Sequence, residues 1–125
     1  MSYYVQTVKS TAGIKAENAK NALRLLRSEI ISKMHNDRYD QDYINEIEQK
    51  LDNVTVLGQA LMILNDSVCC ISGKLNKQGN YTNLYLAGNR CSAEFDAVIY
   101  ILKKYGHGKL TLIGEDGRTS EYNFN

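Results

Sequence analysis

The feature that most constrains this chain is a change of hydrophobic period at Asn65-Asp66. Before that point, apolar residues recur every three or four positions. After it, they alternate or gather in short runs. The first pattern requires helix and the second requires strand, so the two parts of the chain read as different architectures.

Ala19, Ala22, Leu23, Leu26, Ile30 and Met34 form one stripe, which predicts a helix from about Lys15 to His35. Lys20, Arg24, Arg27 and Lys33 fall off the stripe. Asn36-Asp37-Arg38-Tyr39 is a polar connector, and Asp40 suits an N-cap because its carboxylate accepts first-turn amides. Ile44, Ile47, Leu51, Val54, Leu57, Leu61 and Leu64 then predict a second helix, unbroken from about Gln41 to Leu64. A short connector makes the two helices antiparallel neighbours. At ~1.5 Å per residue each spans roughly 30–35 Å, long for a small domain. Stripes of that length predict a homo-oligomer, a dimer or larger, that covers them between subunits.

The remaining elements are strands around one helix. Tyr3 to Val8 reads as a short N-terminal strand. Val68 to Ser72 is a compact apolar strand, and Gln78-Gly79-Asn80 is a turn. Tyr81 to Leu86 alternates, with Leu84 and Leu86 on one face and Tyr81, Asn83 and Tyr85 on the other. Ser92 caps a third helix through Tyr105, with Phe95, Val98, Ile99 and Leu102 inward. Lys109 to Ile113 and Thr119 to Phe124 form a hairpin across Gly114-Glu115-Asp116-Gly117. The expected fold is α+β, ordered β-α-α-β-β-α-β-β: two long antiparallel helices, then a C-terminal antiparallel sheet with one helix. One domain is expected over residues 1–125, with the strand and helical hairpin at about 1–66 and the sheet at about 67–125.

Composition narrows the function. The 125 residues are 43% apolar and 23% charged, ordinary for a globular domain. A net charge of +1 speaks against nucleic acid polymers and anionic membranes as partners. No apolar run approaches the ~18–20 residues of a membrane span, and Met1 to Gln6 lacks the features of a signal peptide. The three cysteines are odd in number and two are adjacent, which predicts free thiols in a reducing cytoplasm.

The catalytic inventory is thin, and no enzyme is expected. Cys91 with His107 is the one nucleophile–base pair worth considering, and nothing in its local sequence supports it. There is no metal-ligand spacing and no glycine-rich nucleotide loop, so neither metal nor cofactor is expected. Two glycine turns are each followed by arginine: Ala87-Gly88-Asn89-Arg90 and Gly114-Glu115-Asp116-Gly117-Arg118. A guanidinium beside a helix start can grip phosphate oxygens. Tyr81, Tyr85, Tyr122 and Phe124 lie in neighbouring strands, and rings on a sheet face can stack a base. Asn83, Asn89 and Asn123 can read base or ribose edges. The same residues also describe an ordinary wet sheet face with surface arginines, and the sequence leaves both readings open.

The chain resembles the small phage proteins of the first Thoeris anti-defence type. The likeness runs through the Tyr3-Tyr4-Val5 strand, two long helices and a sheet around one helix. It is strongest across Val68 to Ile71, Tyr81 to Arg90 and Leu110 to Asn125. The resemblance implies an oligomeric sponge in the host bacterial cytoplasm that sequesters cyclic ADP-ribose isomers, and other cyclic nucleotides, without cleaving them. Within that reading Arg90 and Arg118 take phosphates, and Tyr81 or Tyr85 takes the base. Asn83 or Asn89 takes the ribose or base edge, and Lys109 and Thr111 contribute from the hairpin. Arg24 and Arg27 reach across from a partner subunit. The alternative is an oligomeric phage regulatory protein that binds a host protein through its helical hairpin.

Overall fold

The computed structural model describes residues 4–66 and 69–124. Tyr3 and Val68, expected to open two strands, lie outside the described residues. The fold is α+β, with helices and an antiparallel sheet in largely the expected order. The elements are β1 Tyr4–Ser10, β2 Gly13–Ile14, α1 Ala16–Asn36, α2 Gln41–Asp52, α3 Leu57–Leu64, β3 Cys69–Leu75, β4 Tyr81–Asn89, α4 Ala93–Tyr105, β5 Gly106–Gly114 and β6 Thr119–Phe124.

The helix α1 buries Ala22, Leu23, Leu26, Ile30 and Met34, the expected stripe. Its start has no side-chain cap of its own; instead Asn80 Oδ1 accepts from the Ala16 amide at 2.8 Å. Its end closes by a left-handed residue, Arg38 at φ 58°. The Tyr39 amide donates to Met34 O at 2.9 Å and the Arg38 amide to His35 O at 3.1 Å, which is the Schellman arrangement. Asp40 caps α2 as expected, its Oδ1 accepting from Asp42 N at 2.8 Å.

The second helix is not continuous. It ends at Asp52, and α3 begins at Leu57. Asn53-Val54-Thr55-Val56 is a run of weak helix formers, three of them β-branched. The Arg27 guanidinium fixes the break, donating through Nε to Leu51 O at 3.1 Å and through Nη2 to Val54 O. Leu51, Val54, Leu57, Leu61 and Leu64 stay buried on both sides of the break, which is why periodicity alone does not reveal it. All the stripe residues that suggested subunit contacts are buried within one chain, apart from half-buried Ala19. Stripe length therefore no longer argues for an oligomer.

The sheet runs β3, β4, the pair β1 and β2, β5, β6, antiparallel between neighbours. Together β1 and β2 make one interrupted central strand. Val5 pairs with both Gly88 and Gly114, and Ile14 pairs with both Tyr81 and Gly106. Both β4 and β5 are antiparallel to this strand, so they run parallel to each other with α4 as their crossover, a split β-α-β unit. On one sheet face Leu86, Leu110 and Leu112 are buried, with α4 against β2, β4 and β5 and α1 against α4. By register the other face carries Thr7, Lys9, Tyr85, Thr111, Ile113 and Glu121.

Strand β4 departs from simple alternation. Asn83 sits at φ 50°, and the register with β3 shifts between Ser72 and Lys74. This bulge moves Tyr81 off the face expected for it. Tyr81 is 9% exposed, with Leu84 and Leu86, and its hydroxyl accepts from the Gly58 amide at 2.9 Å.

Candidate ligand-binding end of the sheet

The two glycine–arginine turns meet at one end of the sheet. After β4, Asn89 Oδ1 accepts from Cys91 N at 2.9 Å, and Asn89 O accepts from Ser92 N at 3.1 Å and Ser92 Oγ at 2.9 Å. This tight turn feeds α4, whose cap is the expected Ser92, accepting from Phe95 N at 3.2 Å. The other turn is held by Gly114 N to Arg118 O at 2.9 Å, Gly117 N to Gly114 O at 3.0 Å, and Arg118 N to Asp116 Oδ1 at 3.0 Å.

Arg90 bridges them. It donates through Nη1 to Ser120 Oγ at 2.7 Å and through Nη2 to Arg118 O at 3.2 Å. The side chain crosses Gly114, where any Cβ would collide with the guanidinium. Its Nε is buried with no hydrogen-bond partner among the described residues. Two of the guanidinium's five N–H groups are thus engaged, and the η hydrogens that remain can bind an oxyanion. Arg118 is exposed, with Nε 3.5 Å from Asp116 Oδ2. Tyr4 completes the end: it pairs with Asn89, accepts the Glu115 amide on its carbonyl at 3.1 Å, and is 45% exposed. Glu115 and Asp116 balance the two arginines formally, so an anion must compete with Asp116 for Arg118.

The other expected site residues lie elsewhere. Tyr81 is in the core, held to Gly58. Asn83 is exposed at the bulge, a left-handed position that asparagine tolerates. Tyr85 is half-buried on the outer sheet face. Lys109 and Thr111 line a shallow pocket of about 230 Å³ there with Lys9, Ser10 and Thr11, and Lys109 is ion-paired to Glu121. Arg24 and Arg27 line a groove of about 480 Å³ between α1 and α2 with Ser28, Ile31, Glu48 and Asp52. Arg27 is committed to the α2 carbonyls, and Arg24 donates to Asn21 Oδ1 at 3.3 Å. The structure thus brings the Asn89–Arg90 turn against the Arg118 backbone and scatters the rest. Sequence reading missed Tyr4 and Ser120 at this end, because only the pairing of β1 between β4 and β5 brings them there.

Topology also separates Cys91 from His107. Cys91 follows the C-terminal end of β4, and His107 pairs with Gly13 at the N-terminal end of the parallel strand β5. The seven steps of strand from His107 to Gly114 span roughly 23 Å. Cys69 is buried, and burial pushes its thiol up to about 12, so it is protonated at neutral pH.

No protein-family model, curated protein or solved structure matches the chain.

Proposed function

We propose that the chain binds a cyclic ADP-ribose-type nucleotide and lets it go unchanged, acting as a phage anti-defence sponge against bacterial Thoeris immunity in the host cytoplasm. The observation that carries this reading is the meeting of the two arginine-bearing turns, joined by Arg90 Nη2 to the Arg118 carbonyl, beside Asn89 and the exposed Tyr4. In this account the two arginines take the phosphates, Asn89 takes a ribose or base edge, and Tyr4 replaces Tyr81 as the stacking ring. Sequestration needs neither acid nor base. A homo-oligomer belongs to the proposal, and Val56, Met62 and Leu75, the last two 75% and 62% exposed, supply apolar surface for a second copy.

The exposed Val56 and Met62 favour a second reading, in which a host protein docks on the helical hairpin. A thermal-shift screen with cyclic ADP-ribose isomers and cyclic dinucleotides separates the two. Ligand at ~100 times Kd stabilises by roughly 2.7 kcal/mol, a readable shift in Tm. A flat response to every nucleotide leaves the host-protein reading standing.

A further inference from the structure

Glu94 lies in the first turn of α4 and is 1% exposed. Its Oε1 has no hydrogen-bond partner among the described residues. Tyr39, positioned by the Schellman turn after α1, spans the gap between the connector and α4. Its hydroxyl accepts from the Ala93 amide at 3.1 Å and, beside the Glu94 carboxyl, favours the ionised form of that acid. Tyr43 of α2 stacks on Tyr39, ring centroids 6.2 Å apart, and its hydroxyl donates to Asp66 Oδ2 at 3.3 Å. Asp66 Oδ1 in turn accepts from the Cys69 amide of β3 at 2.9 Å. The charges acting on Glu94 from these elements are those of Asp66 and Asp37, both negative. The lysines near this turn, Lys33 of α1 and Lys103 of α4, act on Asp96.

We propose that Glu94 is a proton-sensitive latch: the neutral acid is tolerated where the α1–α2 connector packs on the start of α4, and ionisation loosens that junction because the cost of the buried charge outweighs the opposing Tyr39 contact. A buried carboxylate with an unpaired oxygen and acidic neighbours is costly, whereas the neutral acid is tolerated. Burial is the main cause that lifts the Glu94 carboxyl above the usual carboxylate range; Asp66 and Asp37 add to the rise, and the Tyr39 hydrogen bond opposes it. Tyr39, Tyr43 and Cys69 are all shifted upward, chiefly by burial, and stay protonated through neutral pH. The sign follows from linkage. The folded state holds the Glu94 proton more tightly than the unfolded chain. The latch's stabilisation is therefore complete below the unfolded carboxylate value and is lost as pH rises through the folded one.

The test is thermal unfolding of wild type and Glu94→Gln between about pH 5 and about pH 9, with amide exchange at Ala93 and Phe95. Glu94→Gln should flatten the fall in Tm and melt above wild type at the alkaline end. Wild-type exchange at both amides should rise with pH faster than in the variant. Asp96, also shifted upward by burial, leaves a residual slope common to both proteins. Parallel Tm and exchange profiles would overturn the latch. Carbon-13 titration of the Glu94 carboxyl in wild type needs no variant, and a midpoint in the ordinary carboxylate range would overturn it as well.

Discussion

Arg90 Nη2 donates to the carbonyl oxygen of Arg118 at 3.2 Å, although 28 residues separate them. Arg90 is therefore a brace for the β5–β6 turn as well as a candidate anion ligand, while the Arg118 side chain projects into solvent. The two arginines should respond differently to removal. Arg90→Ala loses charge-assisted bonds to Ser120 and Arg118 and should cost ~1.5–3 kcal/mol of stability in urea unfolding. Arg118→Ala removes an exposed side chain paired with Asp116 and should stay within about 0.5 kcal/mol of wild type.

Gly114→Ala tests the same brace from below. Its new Cβ meets the Arg90 guanidinium, with Asp116 Oδ1 at 2.9 Å and the Tyr4 carbonyl at 3.2 Å, so Arg90 must move. A loss of ~1–3 kcal/mol is expected from overpacking. The Ser120 hydroxyl and Arg90 guanidinium signals in NMR should shift together.

How far all this is legible in the sequence depends on distance along the chain. The α1 stripe, the Asp40 and Ser92 caps and the Gly114–Arg118 hairpin turn rest on neighbours a few residues apart, and each is found where expected. The break at Asn53 to Val56 is hidden because the apolar spacing carries straight across it, and the Arg27 side chain that seals it comes from another helix. The bulge at Asn83 is one backbone angle, yet it moves Tyr81 from a wet face into the core. Tyr4 reaches the arginine turns only through the pairing of β1 with two strands from the far end of the chain. Glu94 is a buried acid through tertiary packing at the start of α4, where Tyr39 of the connector meets Ala93, and no local sequence pattern marks it.

Tyr81 illustrates a substitution that misleads if only ligand binding is measured. Tyr81→Phe removes the acceptor for the Gly58 amide and should cost ~1–3 kcal/mol. Tyr81→Ala should cost ~3–5 kcal/mol through the cavity it leaves. Guanidinium chloride unfolding checks both, and a neutral Tyr81→Phe would contradict the buried placement.

The cysteines should divide by exposure. Cys70 and Cys91 are exposed and Cys69 is buried. With its thiol pushed up to about 12 by burial, Cys69 should resist iodoacetamide at about pH 8 in the folded protein and react once the chain is unfolded. Intact mass should show two additions before denaturation and three after. Three rapid additions to the folded protein would contradict the core position of Cys69.

The proposed sponge activity is tested most directly by calorimetry with purified cyclic ADP-ribose isomers, followed by heating the complex and chromatography of the released nucleotide. Saturable binding is expected, weakened by ~1.5–3 kcal/mol in Arg118→Ala with the fold intact, and with the nucleotide recovered whole. A cleaved product that accumulates with time would make the protein an enzyme. Absence of binding, or binding unaffected by Arg118→Ala and Tyr4→Ala, would contradict the site.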